Sequence, residues 1–247
     1  MSNSLVLQNY TLESLIQRDD IRSTRQAILN QLNSGNITGI LNAFLSNTLV
    51  TEFGFVYFKV KGLNNILRTS VSGLERAYVY QGVPGQFSPS EIISFNGDDY
   101  ISRYELIKLI EYRLDNVPSA KTKLYLEIVK DIYNRVVTYP DFANLKNAFI
   151  EKVQEKRSSL KAARMAEYNI TNCEFTNAII NRDNIMEYEF AHLDAVAHNP
   201  FIALNIDNGV IIHKDIHKDM TKKGLNTAQD IYNYCIEHGY FVYWAKV

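Results

Sequence analysis

Cysteine is almost absent from this chain, with only Cys173 and Cys235 in 247 residues. That excludes a disulfide framework and makes a reducing, cytoplasmic setting the expectation. Long apolar runs are missing as well: none approaches the roughly 18 residues of a membrane span, and the opening Met-Ser-Asn-Ser lacks the basic-then-apolar layout of a signal peptide. Charge of one sign is not in excess either, since 26 Lys and Arg against 27 Asp and Glu leave a net charge of −1. Such a balance argues against strong indiscriminate binding to nucleic acid, which draws on many cations neutralising phosphates. What is present is a globular composition, 46% apolar and 12% aromatic, with 16 Tyr and 12 Phe against a single Trp. That is enough to build one large or two modest cores, with core packing as the default role of the aromatic residues.

The pattern along the chain predicts an α+β protein. Residues 1–165 read as a mainly helical domain, with helices over 11–16, 23–32, 37–49, 99–114, 119–137 and 140 to about 166. Alternation over Glu52 to Val60 predicts a strand, Val71 to Tyr80 a strand or short helix, and Gly82-Val-Pro84-Gly85 a turn. The last long helix carries Phe142, Leu145, Phe149 and Val153 on one stripe and turns basic afterwards, as a connector between domains would. Around Ser94 to Glu105, Asn96, Asp98, Ile101 and Glu105 fall at calcium-loop spacing, but Ser94 stands at the first position and Asp99 where the loop needs Gly. A helix cap from Asp98 or Asp99 is the simpler reading. The terminal Tyr240-Phe-Val-Tyr-Trp244 reads as a strand.

Histidine is concentrated in one place: His192, His198, His213 and His217 lie within 26 residues. Tyr188 to Leu193 is a short apolar-rich run delivering His192, as a strand would. A loop with His198, Asn199 and Pro200 follows. Asp207-Asn208-Gly209 is a turn signal, read from the tolerance of Asn and Gly for positive φ, and Val210-Ile-Ile212 is the β-branched run of a second strand. If a helix begins at His213, His213 and His217 share a face one turn apart. A strand, loop, strand and helix of this kind can carry metal-assisted phosphodiester hydrolysis. That chemistry needs a neutral imidazole to deprotonate water, a divalent cation to stabilise charge on phosphate, and a fixed polar group to hold the base. His192 suits the base, His217 with or without His213 the metal, and Asn208 a side-chain clamp across the loop.

Cys173-Glu-Phe-Thr176, Ala191-His192-Leu193, Asn208-Gly209 and His213-Lys-Asp-Ile-His217 together resemble the HNH (ββα-metal) endonuclease family over roughly residues 170–224, the last third of the chain. The resemblance implies an HNH-like domain over 166–247, with His192 as general base, Asn208 as the middle asparagine and His217 as the helix metal ligand. The implied reaction is metal-dependent hydrolysis of DNA, in restriction, defence or phage biology. Mg2+ is the first choice of metal, with Mn2+, Ni2+ or Zn2+ as alternatives. An RNase, or a binding or regulatory module that has lost catalysis, uses the same fold.

Two departures from the family pattern stand out. Ala191 occupies the place of a first metal ligand, and Thr221 replaces a His or Asp often found four residues past His217. Of the nearby carboxylates, strand alternation favours Asp194, on the His192 face, over Glu189. A register with His213 and His217 both as ligands requires a shortened second strand. A structural zinc, usual in the family, would have only Cys173 and His213 here, unless Cys235 and His238 completed the set. His198 and His238 otherwise read as ordinary surface residues.

Lys214, Lys218, Lys222 and Lys223 flank the implied metal helix and are the best phosphate contacts, with Lys161 and Arg164 from the basic run Lys152, Lys156, Arg157, Lys161 and Arg164. The first 165 residues are then free to assemble a homo-oligomer or to hold a protein partner.

Overall fold

The structure, a computed structural model, describes residues 9–69 and 73–246. The N-terminal segment 1–8 and residues 70–72, at the start of the stretch expected as strand or short helix, lie outside the described residues. The chain is mixed α and β, and no helix among the described residues is long and apolar enough to cross a membrane. It divides into two compact units between Lys146 and Asn147, earlier than the boundary at residue 165 expected from the sequence.

The N-terminal unit contains β1 (Asn9–Thr11), α1 (Arg18–Ile21), α2 (Gln26–Leu29), α3 (Ser34–Asn47), β2 (Thr48–Thr51), β3 (Val56–Lys59), α4 (Leu63–Leu67), α5 (Leu74–Gln81), β4 (Ile92–Phe95), β5 (Asp98–Ser102), α6 (Arg103–Asn116) and α7 (Ala120–Val137). Helical content dominates, as the periodicity suggests, but the helices pack on a five-stranded antiparallel sheet in the order β1-β2-β3-β5-β4. Most of that sheet escapes periodicity because its strands are only three to five residues long. Ser102 and Ser119 accept from Glu105 N and Thr122 N and so fix the starts of α6 and α7. Phe58 sits at the centre of the core, edge-on to Phe44 and against Tyr133.

The calcium-like stretch is a β-hairpin. Asn96 and Gly97, at φ 50 and 79, make the turn between β4 and β5. Asp98 pairs with Lys59, and Asp99 accepts from the Ser94 and Tyr80 hydroxyls. The helix cap is Ser102, not Asp98 or Asp99.

The division between units falls inside α8 (Pro140–Glu155), and the expected single helix from 140 to about 166 is in fact two, with α9 (Arg157–Glu167) following Lys156. The C-terminal unit continues through β6 (Tyr188–His192), β7 (Gly209–His213), α10 (Lys214–Lys222) and α11 (Ala228–His238). The terminal aromatic run is not a strand: it ends in a 3-10 turn, Tyr243–Lys246. Trp244 and Tyr240 pack against Phe175 instead of pairing with a sheet.

β6 and β7 pair antiparallel in five-residue register, from Tyr188 opposite His213 to His192 opposite Gly209. Residues 188, 190 and 192 therefore share one face, and Glu189 and Ala191 the other. The edge of β7 is closed by Glu174, whose main-chain N–H donates to Ile211 O at 2.9 Å while its carboxylate accepts from Ile211 N at 2.6 Å. The same carboxylate takes two hydrogen bonds from Arg164 at 2.9 and 2.6 Å, and Arg164 Nη1 donates to Ile206 O at 2.8 Å. Arg164 is only 3% exposed, so this buried, fully engaged fork joins α9, the Cys173 turn and the loop before β7. Cys173 and Cys235 belong to the surrounding apolar core, and burial pushes the Cys235 thiol up to about 12.

Gly209 is required for a reason other than the one the turn signal suggests. Its φ is −168, ordinary extended backbone, but an added Cβ would lie 2.1 Å from Cζ of Phe190. The residue is small because the Phe190 ring crosses it. Gly209→Ala should lower the stability of the C-terminal unit by about 1–3 kcal/mol. Urea unfolding followed by fluorescence of Trp244, the single Trp, checks this, and adding Phe190→Leu should recover part of the loss.

Candidate functional site

The site is built where β6 ends and β7 begins. Between them residues 193–208 leave the sheet and return through 3-10 turns at Pro200–Ile202 and Ile206–Asn208. Asn208, 4% exposed, closes this excursion. Its Oδ1 accepts from Asp194 N at 2.8 Å, its Nδ2 donates to Asp194 O at 3.0 Å, and its main-chain carbonyl accepts from Leu193 N at 3.1 Å. An amide carries both a donor and an acceptor, so one side chain satisfies both main-chain groups of Asp194.

The closed loop presents Ala203 O to His192. His192 Nε2 lies 2.8 Å from that carbonyl oxygen, which can only accept, so Nε2 carries the hydrogen and the neutral ring keeps its lone pair on Nδ1. Nδ1 is buried and has no hydrogen-bond partner among the described residues. The edge of the ring meets Phe190 at 5.1 Å between centroids. Burial, aided by the charges of Arg157 and His217 and opposed by the bond to Ala203, holds the His192 pKa at about 4. The ring is neutral across the physiological range.

His217, on α10, points to the other face of β6. Its Nδ1 is 2.6 Å from Glu189 Oε1, and both side chains are less than a third exposed. The argument from strand alternation that favours Asp194 over Glu189 fails, because β6 stops at His192. Asp194 lies beyond it, with Oδ1 accepting from Ala228 N at 2.8 Å, at the start of α11. There the carboxylate satisfies a free helix N–H and meets the positive end of the helix dipole. The informative parity is that of Ala191: Glu189 shares its face, two residues earlier, and a longer side chain reaches His217 from there. That signal was available in the sequence.

His213 does not join His217 on a helix face. β7 runs its full length through His213, which then caps α10 by accepting from Asp215 N through Nδ1 at 3.2 Å, with Nε2 3.8 Å from Glu187. His238 donates to Tyr234 O and stacks on Tyr240. Among the described residues, no three or more His, Cys, Asp or Glu side chains group as metal ligands. The nitrogen and oxygen donors that do meet, His217 and Glu189, are of the kinds that hold a divalent cation whose other positions go to water and substrate oxygens.

Of the expected phosphate contacts, two are committed elsewhere. Arg164 is locked on Glu174, and Lys161 Nζ donates to Ile185 O and Tyr188 O at 2.5 and 2.7 Å. Both therefore act in the scaffold, a correction to their reading as surface cations. Lys214, Lys218 and Lys222 are exposed at four-residue intervals along α10, and Lys223 pairs with Asp219 at 3.1 Å. Arg157, first in α9, is half-buried, and its shielded Nε has no hydrogen-bond partner among the described residues.

The depressed His192 pKa has a consequence for stability. Unfolded, the ring titrates near 6.5, and folded near 4, so the unfolded chain binds more protons between these values. Stability is complete above about 6.5 and is lost as pH falls towards 4, by on the order of 3 kcal/mol for this group. His192→Gln should flatten that slope when urea unfolding is followed by Trp244 fluorescence across this range.

Compared with protein-family models, curated proteins and solved structures, the chain matches none.

Proposed function

We propose that the C-terminal unit is an HNH-like ββα-metal endonuclease domain that hydrolyses DNA phosphodiester bonds. One observation carries this reading: His192 is fixed through Nε2 to a main-chain carbonyl, leaving a lone pair on an Nδ1 that has no hydrogen-bond partner among the described residues. A buried ring nitrogen without a partner is costly as structure and useful as a base. The side-chain clamp of Asn208, and the His217–Glu189 pair held on the other face of the same strand, support the same reading.

In this mechanism His192 Nδ1 takes the proton of a water as its oxygen attacks phosphorus. The P–O ester bond breaks, the electron pair leaves on the ester oxygen, and that oxygen gains a proton from solvent. The new imidazolium strengthens its Nε2–H bond to Ala203 O. Asn208 is a positioning residue, holding the loop that carries Ala203. Glu189 and His217 would hold a divalent ion, Mg2+ before Mn2+, Ni2+ or Zn2+, and when bound it supplies charge stabilisation to the phosphate. A resting pKa of about 4 makes His192 a weak base. The anionic phosphate raises that value on binding, because a nearby negative charge favours the protonated ring.

The second reading, a binding module on the same fold that has lost catalysis, is favoured by the absence of a three-residue ligand group among the described residues. Purified protein should nick supercoiled plasmid in one of Mg2+, Mn2+, Ni2+ or Zn2+. His192→Ala should lower that rate by about 10²–10⁴-fold with the fold intact. Equal cutting by His192→Ala sinks the catalytic assignment, and parallel reactions on RNA decide between DNase and RNase. Calorimetry with Mn2+ separates the two readings: the nuclease binds the ion and loses it in Glu189→Ala and His217→Ala. Asp194→Asn should instead weaken the start of α11 and keep the ion.

A further inference from the structure

Among the described residues, α1, α2 and α3 of the N-terminal unit enclose a cavity of about 300 Å³, at the lower end of the sizes that hold a small molecule. It exists because α1 and α2 are only four residues long and are tied to α7 at their joint. There Arg25 pairs with Glu127 at 3.1 Å, and Arg135 donates to the Thr24 hydroxyl at 2.8 Å. α1 packs on α3 and α7, and α2 packs on α7. One face of α3 is left lining the cavity.

Ser34, Ile37, Thr38 and Leu41 form that face, at the i, i+3, i+4 and i+7 positions of one helical stripe. Ile37 and Leu41 are buried members of the core, and with Leu29 they make an apolar floor. The rim carries Arg18 and Arg22. Arg18 Nη2 donates to Asn42 Oδ1 at 2.5 Å, which places this cation at the Leu41 end of the stripe. Gln26, donating to Asn30 Oδ1 at 2.8 Å, and Ser34, at the start of α3, add neutral polar groups. From Ser34 to Asn42 the helix rises about 12 Å. No Asp or Glu is among the described lining residues. Asp20 is turned back to accept from Gln17 N at 2.8 Å, and Asp19, 87% exposed, lies 3.9 Å from Arg22. At that distance and exposure the pair contributes little. Arg25 is neutralised by a carboxylate, whereas the bond of Arg18 goes to an uncharged amide.

We infer that this cleft binds a small organic anion with an apolar body, a carboxylate or phosphate ester whose charged head meets Arg18 and Arg22 and whose chain or ring lies on Leu29, Ile37 and Leu41. A guanidinium is always charged and presents its donors in a planar fork matched to the oxygens of either head group. Neither part of the cleft is sufficient alone. The two arginines are exposed, so attraction to a bare anion is screened by water and salt. The floor is three side chains wide, so an uncharged hydrocarbon buries little area there. A ligand that joins both features gains from both. The site lies wholly in the N-terminal unit and stands independently of the nuclease reading, giving that unit a ligand of its own.

Calorimetry on the whole chain tests this with four probes. Octanoate and 1-naphthyl phosphate each carry a charged head on an apolar body; 1-octanol has the body without the charge, and inorganic phosphate the charge without the body. At least one of the two anions should bind with a Kd below about 1 mM, and octanol and inorganic phosphate at least about tenfold more weakly. The tighter anion identifies the head group. Arg18→Gln with Arg22→Gln should weaken that binding by about ten- to a hundredfold and make it less sensitive to salt. Thr38→Trp, which lays a large side chain across the floor from an exposed position, should abolish it, and the two residues have similar helix propensity. Melting followed by circular dichroism should find these variants folded. Arg22→Gln alone removes only the weak surface pair with Asp19, so its loss of affinity at an unchanged melting temperature decides the matter if the double variant melts early. Octanol binding as tightly as octanoate, binding unchanged in Arg22→Gln and Thr38→Trp, or neither anion binding below about 1 mM each overturns the inference.

Discussion

The side chain of Asn208 is the constraint on which the site depends. Two strands separated by sixteen residues of irregular chain have no reason of their own to present one carbonyl to one imidazole. The amide of Asn208 removes that freedom by bonding both main-chain groups of Asp194, while its own carbonyl takes the N–H of Leu193. The loop becomes a closed ring with buried, directional links at its neck. Ala203 O then meets His192 Nε2 from a fixed position, and the tautomer follows from it. An Asp could accept from Asp194 N but not donate to Asp194 O, so the chemistry of an amide is needed.

A second buried polar element holds this arrangement against the helices. Glu174 completes the edge of β7 with its main chain and its carboxylate, and Arg164 binds that carboxylate while also holding Ile206 O, two residues before Asn208. Each charge is fully engaged, which is the condition under which burying an ion pair is tolerated. Around it, Cys173, Phe175, Cys235 and Trp244 lie in one apolar cluster, and the cysteines serve as small hydrophobic residues in the core. The Cys173 turn is kept by main-chain bonds from Cys173 N to Ala178 O and from Asn177 N to Cys173 O.

Strand parity and side-chain length distribute the chemistry. His192 ends β6 on one face. Glu189, on the other, reaches His217 from two residues before the position that Ala191 leaves without a donor. Burial lowers the His192 pKa and the charge of Arg157 acts in the same direction, so the imidazole is neutral.

Much of this was legible in the sequence. Alternation and β-branching placed β6 and β7, and the helix after His213 follows directly. The roles open to an imidazole and an amide at that spacing singled out His192, Asn208 and His217 as the residues to examine. In the N-terminal unit, the long helices α3, α6 and α7 show through their apolar spacing and serine or asparagine caps. Short strands such as β1, β4 and β5 do not, because three to five residues carry too little periodicity to separate a strand from a loop. Local pattern therefore decided which elements form and where His192, Asn208 and His217 fall among them. Only the tertiary structure decided the partners: Gly209 small for the Phe190 ring, Asp194 turned to α11, Lys161 and Arg164 drawn into the scaffold, and Glu189 on His217. The reason is physical. Secondary structure follows the chain's local period, but the partner of a charged or polar side chain is chosen by burial among segments distant in sequence, where each donor and acceptor must be satisfied or remain free to bind.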